Sequence, residues 1–294
     1  MIKKGDVVYY AIIIIAVLLF GGSFYSKDVY RRMRGSSMLI SMEYSFIGAV
    51  VGLITLVIIN GMMIEYTTFS LIMALASTIN GFAFTFCTFK ALKTINLSLY
   101  SLFSMLGGML LPFVQGILFF GEELTVAKFI SVGVIALALI LTVEKGKRKN
   151  GTIYYIGIFV LNGMSGVISK IFVSAPFEKV SSAGYSILTA ICSLVLSLVF
   201  FLILTKKDGN VEKITPASIT VGALSGVTNK IANFLLIIAL AHVDASVQYP
   251  MVTGGVIIIS TLISLFGERK PSKKEVLSVV VAFLGLLLLF VMPK

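Results

Sequence analysis

The stretch Ala11-Ile12-Ile13-Ile14-Ile15-Ala16-Val17-Leu18-Leu19-Phe20 is continuously apolar, with neither a charge nor a polar side chain to face water. A soluble strand or helix leaves one face wet, so a run that is apolar all round belongs inside a large core or a lipid bilayer. A membrane β-barrel would instead alternate apolar and polar residues over segments of about ten. A transmembrane α-helix is the reading left, because it satisfies every backbone hydrogen bond internally.

The rest of the chain follows the same rule. Of its 294 residues 58% are hydrophobic and 13% charged, against roughly 25% charge in soluble domains. A hydrocarbon core about 30 Å thick calls for about 20 apolar residues per crossing. Ten such runs are present: Val7 to Tyr25, Ser37 to Asn60, Thr68 to Phe89, Leu97 to Phe120, Val126 to Val143, Tyr154 to Val173, Ser181 to Leu204, Ile219 to Leu240, Ala245 to Phe266 and Val276 to Met292. The first run follows Lys3 and Lys4 but no clean small-x-small cleavage site follows it, so it reads as a span and not a signal peptide. The fold class expected is an all-α integral membrane protein of ten transmembrane helices, in a bacterial inner or plasma membrane.

The chain also resembles itself. Ala91-Leu92-Lys93-Thr94-Ile95-Asn96-Leu97-Ser98 aligns with Ala239-Leu240-Ala241-His242-Val243-Asp244-Ala245-Ser246, Gly107-Gly108 with Gly254-Gly255, and Gly121-Glu122 with Gly267-Glu268. Five spans are thus repeated as five, residues 1–146 and 147–294. An odd number of crossings inverts the second copy, giving two inverted five-helix repeats about an axis in the membrane plane, an architecture of secondary transporters.

The fourth and ninth spans each carry serine and Gly/Pro breaks, and end in Phe120-Gly121-Glu122-Glu123 and Phe266-Gly267-Glu268-Arg269 before a final apolar run. In these landmarks the chain resembles EamA-type members of the drug/metabolite transporter superfamily. That resemblance implies that the first four helices of each half surround a central cavity, and that the fifth is peripheral and available for a homodimer contact. Relatives commonly have Arg in the second helix, where this chain has Glu43, so the family's ligand chemistry does not transfer to that position.

Polar residues in a span turn towards protein or a wet cavity. In the eighth span Gly222, Ser225, Gly226, Asn229, Lys230 and Asn233 fall on one helical stripe. The third span has Ser77, Asn80, Gly81, Thr85 and Thr88, the sixth Asn162, Ser165, Gly166, Ser169 and Lys170, and the seventh Ser182, Tyr185, Ser186, Thr189 and Ser193. Small residues also let helices pack closely, so Ser and Gly alone do not mark a ligand. Lys230 is stronger, since a central lysine costs roughly 2.5–3.5 kcal/mol to insert. It reads either as a cationic contact for a carboxylate, phosphate or other anionic solute group, or as half of an internal ion pair. Lys170, near a span end, can snorkel to the headgroups.

Glu43 reads as a cation-binding or proton-coupling carboxylate, or as a partner of Lys230, although it points away from the stripe of Ser37, Ser41, Tyr44, Ser45, Gly48 and Gly52. Pro112 with Gly107 and Gly108, and Pro250 with Gly254 and Gly255, mark corresponding weak points in the fourth and ninth spans, either hinges or fixed packing kinks. Gln115, Gln248 and Tyr249 on these spans are further candidates for solute contact.

Catalytic motifs are absent from the sequence: there is no HExxH, no P-loop and no cysteine cluster, and the lone His242 lies in an interhelical turn. Cys87 and Cys192 read as packing residues inside spans. No enzyme, ATP-driven pump, metal or cofactor is expected. The net charge of +11 is scattered over loops, which suits anionic lipid headgroups and not nucleic acid. Its bias, including Lys27, Arg31, Arg32, Arg34, Lys206, Lys207 and Lys213, puts the termini outside by the positive-inside rule, whereas the family resemblance implies cytoplasmic termini. The function expected is secondary transport of a small polar or amphipathic metabolite, amino-acid-like or anion-bearing, by alternating access. The alternatives are a multidrug or lipid-carrier exporter and, further off, an intramembrane enzyme or scaffold.

Overall fold

A computed structural model describes residues 6–61, 63–120, 126, 129–130, 133–134, 137–138, 152–208, 213–240, 242–243, 245–267 and 270–291. Among them the chain is all-α, with nine long helices: α1 (Asp6–Arg34), α2 (Met38–Ile59), α3 (Thr68–Leu92), α4 (Leu97–Phe120), α5 (Thr152–Ser174), α6 (Ser182–Asp208), α7 (Pro216–Leu240), α8 (Ala245–Leu265) and α9 (Lys273–Val291). These match the first four and last five expected spans. Most of the fifth span lies outside the described residues, as do Gly121, Glu122, Glu123, Glu268 and Arg269.

Among the described residues six helices, α1 to α6, are long and apolar enough to cross a membrane. The apolar part of α8 within the described residues runs over Met251–Leu265. The outer surface is oily, with Ile14, Leu18, Ile54, Ile72, Ile79, Val195 and Ile203 exposed, as lipid demands and water would not. The chain is therefore a multi-pass membrane protein.

Caps set the helix ends. The Ser37 hydroxyl accepts from the Ile40 amide at 3.2 Å, the Thr67 hydroxyl from the Ser70 amide at 3.2 Å, and the Asn96 side chain from the Leu99 amide at 2.9 Å, each satisfying an amide that has no partner within its helix. Thr215 and Ser218 cap α7 reciprocally, each backbone amide donating to the other's hydroxyl. Helix α1 runs well past the apolar stretch because Asp28 is paired with Arg31 at 2.8 Å and Arg32 at 2.6 Å, three and four residues on. It stops at Gly35, whose φ of +99° suits glycine.

Nearly all the large interfaces join the first half of the chain to the second. Helix α1 lies on α7 and α8, α2 on α6 and α7, α3 on α5 and α6, and α4 on α5 and α8, whereas the backbones of α1 and α2 come close at few points. Glycine makes the closest of these approaches. A Cβ on Gly107 would sit 2.1 Å from the Phe159 carbonyl oxygen, one on Gly166 would sit 2.3 Å from Pro112 Cγ, and one on Gly255 would sit 2.8 Å from Val17 Cγ1. Helix α4 continues without interruption through Gly107, Gly108 and Pro112, as α8 does through Pro250, Gly254 and Gly255. In this conformation Gly107, Gly108 and Gly255 serve close packing.

Candidate polar site between α1, α2 and α7

At one end of the bundle Glu43 is almost wholly buried, 1% exposed, yet fully paired. Arg34 grips it in a fork, Nε to Oε1 at 2.9 Å and Nη2 to Oε2 at 2.8 Å, and the Tyr30 hydroxyl donates to Oε1 at 2.5 Å. Arg34 also donates to the Lys213 carbonyl at 3.1 Å, tying α1 to the segment before α7. Two parallel N–H···O bonds are the strong form of a carboxylate pair. The α2 stripe that excludes Glu43 is the face laid on α7, which is why Glu43 points elsewhere, towards α1.

Further into the bundle, α1, α2 and α7 are knotted through hydroxyls. The Ser225 hydroxyl donates to the Ser23 carbonyl at 3.0 Å and lies 2.7 Å from the Tyr44 hydroxyl. Helices α2 and α7 run parallel here: a Cβ on Gly226 would meet Gly48 Cα at 3.0 Å, and a Cβ on Gly52 would meet Lys230 Cε at 3.1 Å. Gly222, Ser225 and Gly226 are thus the packing part of the α7 stripe, and Gly52 makes room for the Lys230 stem.

Lys230 is half-buried, near the middle of α7, and has no hydrogen-bond or ionic partner among the described residues. Beside it the Asn233 amide donates to the Asn229 carbonyl oxygen at 2.8 Å, and Asn233 is exposed. The other sequence candidates are engaged in packing. Asn80 donates to Leu161 O at 2.9 Å and to Ser165 Oγ at 2.8 Å, and Asn162 donates to Ser104 O at 2.6 Å. Gln248 and Tyr249 lie in α8, with side chains outside the described residues, and exposed His242 stacks on Tyr9 at 4.0 Å.

Lys27 is the residue that sequence reasoning missed, having counted it among loop charges. It lies within α1, is only 9% exposed, and has its ammonium 5.2 Å from the Phe84 ring centre and 5.7 Å from that of Tyr44. No carboxylate meets it among the described residues. Each ring is worth about 0.5–2 kcal/mol to a cation, whereas burying an ion costs several kcal/mol even after relaxation. The rings offset only part of that cost. Helices α1 and α7 are antiparallel, so Lys27 and Lys230 lie on opposite sides of the Ser23–Ser225 knot, separated by roughly 13 Å of helix rise.

A separate cleft of 620 Å³ opens between α4 and α5, lined almost wholly by apolar side chains such as Leu111, Val114, Phe119 and Ile171. No group of three metal-ligating side chains is present among the described residues.

No family model matches the chain, and no curated protein matches it. A solved structure does. One crystal structure is similar over 96% of this chain and 97% of that one, with a TM-score of 0.61 and 17% identity. At that identity the likeness concerns the fold alone.

Proposed function

We propose that the protein is a secondary transporter of the EamA type, ten helices arranged as two inverted five-helix repeats over residues 1–146 and 147–294. It moves a small polar or amphipathic solute that bears an anionic group. The helix pairing supports the repeat: adding five to each span number exchanges the pairs 1–8 and 3–6, 1–9 and 4–6, 2–8 and 3–7, and leaves 2–7 and 4–9 in place. Two interleaved halves of this kind can exchange shapes about a central site, opening it to one side at a time.

Lys230 carries the choice of solute. A half-buried lysine near mid-depth with no partner among the described residues, flanked by Asn229 and Asn233, is a cation awaiting an anion. The two asparagines add hydrogen-bonding capacity for the rest of a polar solute. In proteoliposomes tested for uptake and efflux of amino acids, organic acids and phosphate esters, Lys230→Ala is expected to weaken affinity for the transported solute by about tenfold or more. Unchanged affinity in a folded Lys230→Ala variant overturns the anionic contact. The apolar cleft between α4 and α5 favours the second reading, an exporter of hydrophobic drugs or lipid carriers; transport of such compounds alone, insensitive to Lys230, would select it.

A further inference from the structure

We propose that Lys27 is the centre of a second anion-binding site, distinct from Lys230, that takes the carboxylate of a small solute. Three observations converge on it. The first is Lys27 itself, more than nine-tenths buried, with aromatic faces and, among the described residues, no anion against its ammonium. The second is a set of buried hydroxyls on α3, which carries Phe84, and on α4, which meets Phe24 of α1. Tyr100 faces Thr88 and Ser104, yet none of the three hydroxyls completes a hydrogen bond of ordinary geometry, and Tyr100, Thr88 and Ser104 are all fully buried.

The third is the register that puts these groups together. Phe24, whose ring meets Tyr100 at 5.0 Å, stands one turn before Lys27 on α1, and Phe84, which caps the Lys27 ammonium, stands one turn before Thr88 on α3. A buried cation and several hydroxyls with unmet hydrogen bonds are the donors an oxyanion needs, and buried polar groups left unpaired are otherwise rare. A single positive charge with neutral donors matches a monoanionic carboxylate better than a dianionic phosphate.

The binding site rests on its own geometry; its use as a second station along a transport path rests on the transporter reading. On that reading the solute's carboxylate passes between Lys230 on one side of the Ser23–Ser225–Tyr44 knot and Lys27 on the other, and the knot opens between them.

The test is fluorine NMR of trifluoroacetate titrated into the full-length protein in phosphatidylcholine nanodiscs. The parent should show two saturable components. Lys27→Met should weaken one by about tenfold or more, leaving the other, and Lys230→Met should do the reverse. Combined Tyr100→Phe, Thr88→Val and Ser104→Ala should weaken the Lys27 component alone, which keeps the question decidable if Lys27→Met does not fold. Acetate should compete better than inorganic phosphate. A parent whose binding is abolished by Lys230→Met alone, or a folded Lys27→Met or triple variant that keeps both components, overturns the site; phosphate competing better overturns the carboxylate assignment. A Lys27-dependent component in a protein that transports no carboxylate sinks the transport path and leaves the site.

Discussion

Glu65 clasps Ser181 at the end of the bundle opposite Arg34, accepting from its backbone amide at 2.6 Å and from its hydroxyl at 2.5 Å. The clasp joins the α2–α3 connection to the start of α6. At the other end Arg34 donates to the Lys213 carbonyl, joining the end of α1 to the start of α7. At each end a charged side chain of the first half thus holds the backbone of the second.

Glu65 makes the outer clasp sensitive to acid. The Ser181 hydroxyl and amide hold its carboxyl below the usual carboxylate range. A depressed folded-state value means that the clasp contributes fully above the ordinary range and is lost as pH falls through the depressed value. Protection of the Ser181 amide against hydrogen exchange, taken relative to its intrinsic rate, should be greater at neutral pH than in acid, and Glu65→Gln should lower it at neutral pH. A Ser181 amide that exchanges at one intrinsic-corrected rate across this range, in parent and variant alike, would count against the clasp.

The inner fastening is a buried ion pair, and breaking one side of it leaves a stranded charge. Arg34→Ala or Glu43→Gln should each destabilise the protein in detergent, Arg34→Ala by about 3–5 kcal/mol. The combined Arg34→Met, Glu43→Met protein should be more stable than Arg34→Ala, because no charge is left unpaired. Thermal unfolding of the single and double variants measures this, and additive losses would remove the coupling.

Glycines that look alike in sequence should behave differently. Gly107→Ala drives a methyl group into the Phe159 carbonyl and should cost about 1–3 kcal/mol. Gly48→Ala finds open space around its own Cβ and should be close to neutral. Equal effects on unfolding temperature would contradict the α4–α5 contact.

Cationic side chains gather at the Arg34 end: Arg31, Arg32 and Arg34 close α1, Lys206 and Lys207 close α6, and Lys273 opens α9. That end should face the cytoplasm. Lys213→Cys should then resist a membrane-impermeant thiol reagent in intact cells while Lys179→Cys reacts, and the opposite pattern inverts the protein in the membrane.

Hydropathy located the helices that lipid demands, and helical spacing singled out Lys230 and the α7 stripe, because both are properties of one segment. Partners are properties of two. Glu43 looked isolated because Arg34 falls beyond the apolar run that bounded the first span, and Lys27 looked like a loop charge for the same reason. Asp28 neutralises the start of the basic tail and lets α1 continue, and hydropathy averages that effect away. Gly107 and Gly108 suggested a hinge because a sequence records the missing side chain but not the Phe159 backbone that fills its place. The carboxamides of Asn80 and Asn162 stood out as ligands for a similar reason, since their acceptors lie on other helices.

The bond between Arg34 and Glu43 also has a place in time. During synthesis α1 and α2 reach the membrane together, long before α7, and they have few other contacts to make with each other. The charge on Glu43 finds its partner inside this first hairpin, whereas Ser23 must wait for Ser225 and Asn80 for Ser165. The newborn hairpin can therefore rest in lipid with Glu43 already neutralised, and the later helices close around a pair that needs no rescue.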